Sequence, residues 1–176
     1  MQIIKIYSKK HIKDLKRFCK KCKKLGWHNN ESLSKLKYDE TVKNGGGFFA
    51  IYENQSITSI AGYQKFSYMN ENGWRIFYRS ATLPESNTNK TLHNGTGPRG
   101  RAYINKFIET LPNQNLYVTT NIENNESKNI TRYDRSLYLE SKRSNSYIEF
   151  VTQAILYNTK QNIWKLNIKK YLDKTI

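Results

Sequence analysis

The spacing of apolar residues changes several times along this chain, and each change marks a change of element. Ile3 to Tyr7 alternates weakly between apolar and polar residues and predicts a short strand. Ile12, Leu15, Phe18, Cys19, Cys22 and Leu25 then recur at helical spacing, with Lys filling the opposite face. Ser8 is the expected N-cap of that helix, which runs to about Leu25, and Gly26 is its stop. Ser32 to about Val42 predicts a second, shorter helix, closed by Asn44-Gly45-Gly46-Gly47.

Past Gly47 the period drops to two. Phe48–Tyr52, Ile57–Phe66 and Trp74–Leu83 predict three strands. Glu53-Asn54-Gln55 and Asn70-Glu71-Asn72-Gly73 join them tightly enough for an antiparallel meander. Pro84 to Pro98 is polar and rich in turn residues. Ala102, Ile104, Phe107, Ile108 and Leu111 return to helical spacing and stop at Pro112-Asn113. Leu116–Ile122 predicts a strand, and Glu126–Lys142 a fourth helix with Ile130, Tyr133, Leu137 and Tyr138 near one side. Tyr147–Tyr157 and Asn162–Ile168 predict two last strands joined across Thr159-Lys160-Gln161. The order βααβββαβαββ describes an α+β chain with one mixed, mostly antiparallel sheet and helices on both of its faces. No repeat or linker divides it, so residues 1–176 are expected to form a single domain.

Charge adds a partner class. The chain holds 30 Lys and Arg against 14 Asp and Glu, a net charge of +16, and 13 of the cations fall within residues 1–47. A field of that sign favours polyanions, so nucleic acid on the basic N-terminal helices is one expected partner and an anionic cofactor another. The chain is also heavy in Lys, Asn and Ile together, as an AT-rich genome would impose, and exposed Lys then needs no ligand. That composition suits a phage or an AT-rich bacterium. No apolar run is long enough to span a bilayer, and Met1-Gln2-Ile3-Ile4-Lys5 passes straight into charged sequence. The expectation is a cytoplasmic protein (in the host, if phage-encoded) with no membrane partner. Cys19 and Cys22 form a lone Cys-x-x-Cys with only His11 and His28 nearby. Two thiols on a buried helix face fit this better than a metal site, and no metal is expected.

One loop carries candidate chemistry. Gly95-Thr96-Gly97-Pro98-Arg99-Gly100-Arg101-Ala102 follows a predicted strand and opens a predicted helix. Backbone N–H groups at a helix start and the positive end of its dipole make an anion site, which Gly lets a phosphate approach and Arg reinforces. A surface turn in a basic protein is the other reading. Trp27 and His28, between the first two helices, offer rings for a base or an aromatic substrate. Alternatively, Trp27 closes the core beneath the first helix.

This order, with the Gly/Arg loop between the fourth strand and third helix, resembles the GNAT superfamily of acyl-CoA-dependent N-acyltransferases. The topological resemblance covers nearly the whole chain. Gly97-Pro98-Arg99-Gly100-Arg101-Ala102 is similar to the family's Arg/Gln-x-x-Gly-x-Gly/Ala pyrophosphate signature, with Gly97 standing where Arg or Gln is usual. The resemblance implies acetyl-CoA or another acyl-CoA as co-substrate, an amine acceptor, and a cofactor site made of Ala81, Thr82, Leu83, Arg99, Gly100, Arg101, Ala102, Asn121 and Asn125. Ala81 to Leu83 would pair their backbone with the pantetheine arm. Tyr133 is the implied acid for the departing thiolate, with Tyr138 the next candidate, and a phenol of pKa ~10 is protonated at neutral pH. Tyr133 also reads as a core residue of the fourth helix. Glu85 is the candidate base, or else a loop carboxylate balancing nearby cations. The Tyr-Gly-Phe ending common on the family's fourth helix is replaced by Leu139-Glu140-Ser141-Lys142. Together with Gly97 it keeps a second reading open: a GNAT-like protein without catalysis that binds nucleic acid or a protein partner through its basic face. The oligomeric state stays open, a dimer included.

Overall fold

The computed structural model describes residues 2–26, 35–68, 71–86, 98–123, 128–156 and 158–175. Its strands are β1 (Ile3–Lys5), β2 (Gly47–Glu53), β3 (Ser56–Tyr68), β4 (Glu71–Thr82), β5 (Asn115–Asn121), β6 (Ile148–Leu156) and β7 (Thr159–Leu166). Its helices are α1 (Lys9–Lys24), α2 (Lys35–Lys43), α3 (Pro98–Thr110), α4 (Lys128–Ser141) and α5 (Ile168–Thr175). The strands form one sheet in the order β1-β2-β3-β4-β5-β7-β6. Every pairing is antiparallel except β4 with β5.

Alternation along β2 decides which helices cover which face. Phe48 and Ala50 join the cluster that contains Leu15, Phe18 and Cys22 of α1 and Tyr38 of α2. Phe49 and Ile51 point the other way, into the cluster with Tyr103, Ile104 and Phe107 of α3, Leu137 of α4 and Tyr171 of α5. Helices therefore lie on both faces. The start of α1 is fixed as its sequence predicts: Ser8 Oγ accepts the His11 amide at 3.2 Å. Past its end Gly26 takes φ +74°, which suits a residue without Cβ.

The last helix departs from the sequence reading. Asn162–Ile168 reads as one strand, but β7 stops at Leu166. Asn167 ends it by turning its side chain into a cap, with Oδ1 accepting the Lys170 amide at 3.0 Å. The chain then turns as α5 and buries Tyr171 on α3, where the Tyr171 hydroxyl donates to Asn105 Oδ1 at 2.9 Å.

The contact between β4 and β5 is short. Only Gly73–Arg75 pair with Asn115–Tyr117, yet β4 runs on to Thr82 and β5 to Asn121. The cause lies on the other edge of β4. Its register with β3 slips between Ile60 and Gly62 and again between Gly62 and Tyr63, because Ile60 faces Ala81, Gly62 faces Tyr78 and Tyr63 faces Ile76. Each slip puts one extra residue in β4. A bulged strand bends and twists, and here it leaves its parallel neighbour. At the apex Tyr117 lies over Gly73, where an added Cβ would come within 2.5 Å of the Tyr117 ring. The Tyr117 hydroxyl donates to Glu71, and Lys165 Nζ lies 3.3 Å from Glu71. Both hydrogen bonds hold the Glu71 carboxyl below its ordinary range.

Candidate active site

The gap between β4 and β5 opens toward the C-terminal ends of both strands. Parallel neighbours need a crossover, and α3 belongs to it, with its second turn held at the end of β4. Two hydrogen bonds tie the ends together: the Tyr103 hydroxyl donates to Ser59 Oγ at 3.0 Å, and Ser59 and Thr82 hydroxyls share one of 2.9 Å. Burial raises the Tyr103 phenol well above its ordinary pKa, so it stays a donor.

Register assigns the backbone groups at the strand end. The Leu83 amide donates to Thr58 O at 2.8 Å, and Leu83 is fully buried against the α1–α2 cluster. That amide is therefore committed to β3. In an antiparallel pair the residues alternate, so Thr82, opposite Ser59, turns its N–H and C=O away from β3 and into the gap. Ala81 faces Ile60 and, two residues before Leu83, turns its own backbone groups to β3. Among Ala81, Thr82 and Leu83, Thr82 is the one whose backbone groups are directed into the gap.

The first turn of α3 carries the candidate anion ligands. Pro98 occupies its first position, a place suited to a residue without N–H. The amides of Gly100 and Arg101 have no carbonyl four residues back within the helix. Arg99 is half-buried, and burial holds its guanidinium below the ordinary value while Tyr103 nearby acts the other way. Arg101 is exposed and turned to the other side, toward α5, where its charge works against the burial that raises the Tyr147 and Tyr171 phenols. The two Arg are thus separated by the helix rather than paired. Ala102 is partly buried in the same turn.

The remaining candidates scatter. Asn121 ends β5 on the opposite wall, opposite Gln161, and its Oδ1 accepts the Glu123 amide at 2.9 Å. Glu85 is exposed, with Lys21 Nζ of α1 3.4 Å away. Tyr138 is half exposed and carries Lys142 Nζ 5.1 Å from its ring centre. Tyr133 belongs to α4, but its side chain lies outside the described residues, as do Asn125, Gly97, Trp27 and His28. Cys19 and Cys22 face inward from α1, and burial pushes their thiols up to about 11 and about 12. Among the described residues no group of three or more His, Cys, Asp or Glu could hold a metal ion. Nor is any described helix long and apolar enough to cross a membrane.

Sequence reasoning did not single out Ser59 or Tyr103. A Ser in an otherwise apolar stretch of β3 and a Tyr one turn after Arg99 were the available signals.

No protein-family model matches the chain, and no curated protein matches it. Solved structures do. A protein described as a GNAT-family acetyltransferase from Desulfovibrio desulfuricans aligns with TM-score 0.59 and 13% identity, over 94% of this chain and 97% of its own. The chain has the GNAT fold. FeeM, an N-acyl amino acid synthase from uncultured soil microbes, covers 100% of both chains at TM-score 0.58 and 7% identity. An aminoglycoside 6'-N-acetyltransferase complexed with coenzyme A aligns at TM-score 0.54 and 12% identity, over 94% of this chain and 96% of its own. The GNAT fold here includes the gap between β4 and β5 and the α3 start beside it.

Proposed function

We propose that this chain is a one-domain N-acyltransferase that moves an acyl group, acetyl in the simplest case, from acyl-CoA to an amine. The observation that carries the reading is the parting of β4 and β5 at the end where α3 begins. The residues fit the co-substrate. The first-turn amides of α3 and the half-buried Arg99 suit a pyrophosphate. The Thr82 C=O, left over by the β3–β4 register, suits an amide N–H of a pantetheine arm, and its N–H is left for the thioester carbonyl. The coenzyme A complex of one fold neighbour supports that assignment.

In the reaction the amine nitrogen attacks the thioester carbonyl carbon, the carbon–sulfur bond breaks, an amide forms, and the proton lost by the amine is balanced by one gained at sulfur. Holding both reactants together supplies much of the rate, and a backbone N–H facing the carbonyl oxygen stabilises its developing charge. Thr82 is the candidate donor, Tyr133 the candidate acid, and Glu85 the candidate base, directly or through water. Asn121 and Asn125 would meet the co-substrate from the β5 side. No metal enters the scheme.

A polyanionic acceptor, nucleic acid included, is the finer reading. It is supported by α1, whose sequence holds nine Lys and Arg and one acid, and that acid, Asp14, is buried against Arg17. The same face serves the alternative of a non-catalytic binding protein. Calorimetry with acetyl-CoA tests the proposal: saturable heat is expected, and no binding at millimolar ligand overturns it. Nucleic-acid affinity that does not fall with salt would remove the polyanion.

A further inference from the structure

Helix α1 separates its residues by charge more sharply than its composition requires. At 3.6 residues per turn its nine Lys and Arg fall within an arc of about 160°, while Leu15, Phe18 and Cys22 take the opposite side, in the core. Its one acid, Asp14, is buried against Arg17, so the outer face exposes none. Chain-wide there are 14 acids to 30 cations, so a Lys-rich composition does not account for that face. Lys9, Lys13, Lys16, Lys20 and Lys24 follow one another at spacings of three or four residues, where like charges destabilise a helix. Apart from Arg17 with Asp14 and Lys21 with Glu85, no cation of α1 pairs with an acid among the described residues.

An aromatic ring stands at the head of this face. Tyr7 directly precedes the Ser8 cap and is 72% exposed. It is braced rather than loose: the His11 ring meets it edge to face at 5.1 Å between centres, and the Tyr52 ring lies 6.0 Å from His11. Tyr52 is held in turn, its hydroxyl donating to Asp14 Oδ2 at 3.2 Å. A held, open ring at the end of a cationic track suits an unpaired base on a phosphate chain. A duplex fits less well, because its base faces are already stacked. An anionic membrane fits less well too, since the apolar side of α1 is committed to the core and none is left to enter lipid.

We propose that the outer face of α1 binds single-stranded nucleic acid, with phosphates along the Lys stripe and one base stacked on the Tyr7 ring. The 16 residues of α1 span about 24 Å, room for several nucleotides. Lys meets a phosphate as a point charge, so the track holds the strand without reading its sequence. This deepens the polyanion reading of the same face and rests on it, but not on acyl transfer.

Labelled oligothymidylate, an abasic strand of equal length and a duplex test this on the unaltered protein by fluorescence anisotropy. Oligothymidylate is expected to bind saturably at low salt and to weaken steeply as salt rises. The abasic strand keeps every phosphate and should bind about tenfold more weakly, the worth of one stacked base. Tyr7→Ala should cost oligothymidylate the same factor and the abasic strand nothing. Lys13→Glu with Lys20→Glu, both exposed, should weaken both strands and flatten the salt slope by about two. The same pair should raise Tm, because each Glu gains Lys neighbours on the helix. A raised Tm with unchanged affinity would make the face a solvated surface only and overturn the proposal. No binding, or affinity indifferent to salt, would overturn it together with the polyanion reading. Equal affinity for the abasic strand, or a preference for duplex, would overturn it alone and leave that reading standing.

Discussion

The Tyr103 hydroxyl donates to Ser59 Oγ at 3.0 Å, which ties the second turn of α3 to the strand beside β4. Ser59 in turn holds Thr82, so one buried hydroxyl fixes the distance between the proposed phosphate cradle and the end of β4. Tyr103→Phe keeps the ring and removes this link. It should lower unfolding stability by about 1–2 kcal/mol in urea titrations. It should also weaken acyl-CoA binding several-fold without altering affinity for the acceptor. Unchanged co-substrate affinity would confine Tyr103 to a structural role.

Arg99 and Arg101 are two residues apart and should behave differently. Arg99 is half-buried beside Tyr103, whereas Arg101 is exposed and turned toward α5. Arg99→Ala should raise the Kd for acetyl-CoA by about tenfold or more, as expected for a charge-assisted contact. Arg101→Ala should change it by less than half as much on a logarithmic scale. Calorimetry on the two variants distinguishes them, and equal losses would contradict the separation by the helix.

Gly73 has no room for a side chain, because a Cβ there would press on Tyr117 at the apex of the gap. Gly73→Ala should cost about 1–3 kcal/mol, the usual penalty of overpacking, read as a fall in Tm. Gly26→Ala is the contrast. A Cβ there meets nothing within 4 Å, and the loss should come only from φ +74°, about 1 kcal/mol or somewhat more.

The outline of the sheet was legible because its strands alternate and its turns carry Asn, Gly and Pro. The Ser8 cap and the Gly26 stop could be read from the chemistry of those residues, but α3 begins at Pro98, before the Ala102 where its helical spacing starts, so Pro98–Arg101 of the expected loop form its first turn. The two bulges of β4 could not be read. They depend on which residue of β3 each residue of β4 meets, and Ile76 to Ala81 carries no Gly or Pro to announce an extra residue. Helix α5 was hidden because Leu166 and Ile168 continue the alternation of β7 across Asn167.

The thiols give a prediction in pH. Cys19 and Cys22 rise to about 11 and about 12 from 9.0, chiefly through burial. At pH 8 a thiol of pKa 9.0 is about one-tenth ionised and one of pKa 11 about one-thousandth, so iodoacetamide should label the folded protein at least ~100-fold more slowly than the unfolded one. Their pKa values are raised in the folded state, so the unfolded chain loses its protons first. Stability should hold below pH 9 and fall as pH climbs through 9 to 12, with Tyr52 and Tyr147, both raised to about 12, adding to the upper part. A flat urea midpoint between pH 8 and 11 would contradict this.

The three residue pairs between β4 and β5 make the sheet two ribbons sharing one seam. The meander β2–β3–β4 and the hairpin β6–β7 each close over neighbouring sequence, whereas the seam waits for the whole α3 crossover to return the chain. Contacts that are local in sequence form before those that enclose a long loop. The seam then assembles late, together with the β1–β2 and β5–β7 pairings, whose partners lie about as far apart in sequence. A co-substrate lying in the gap would touch both ribbons at once, and its presence should slow amide exchange most at Gly73–Arg75 and Asn115–Tyr117, residues it need not touch.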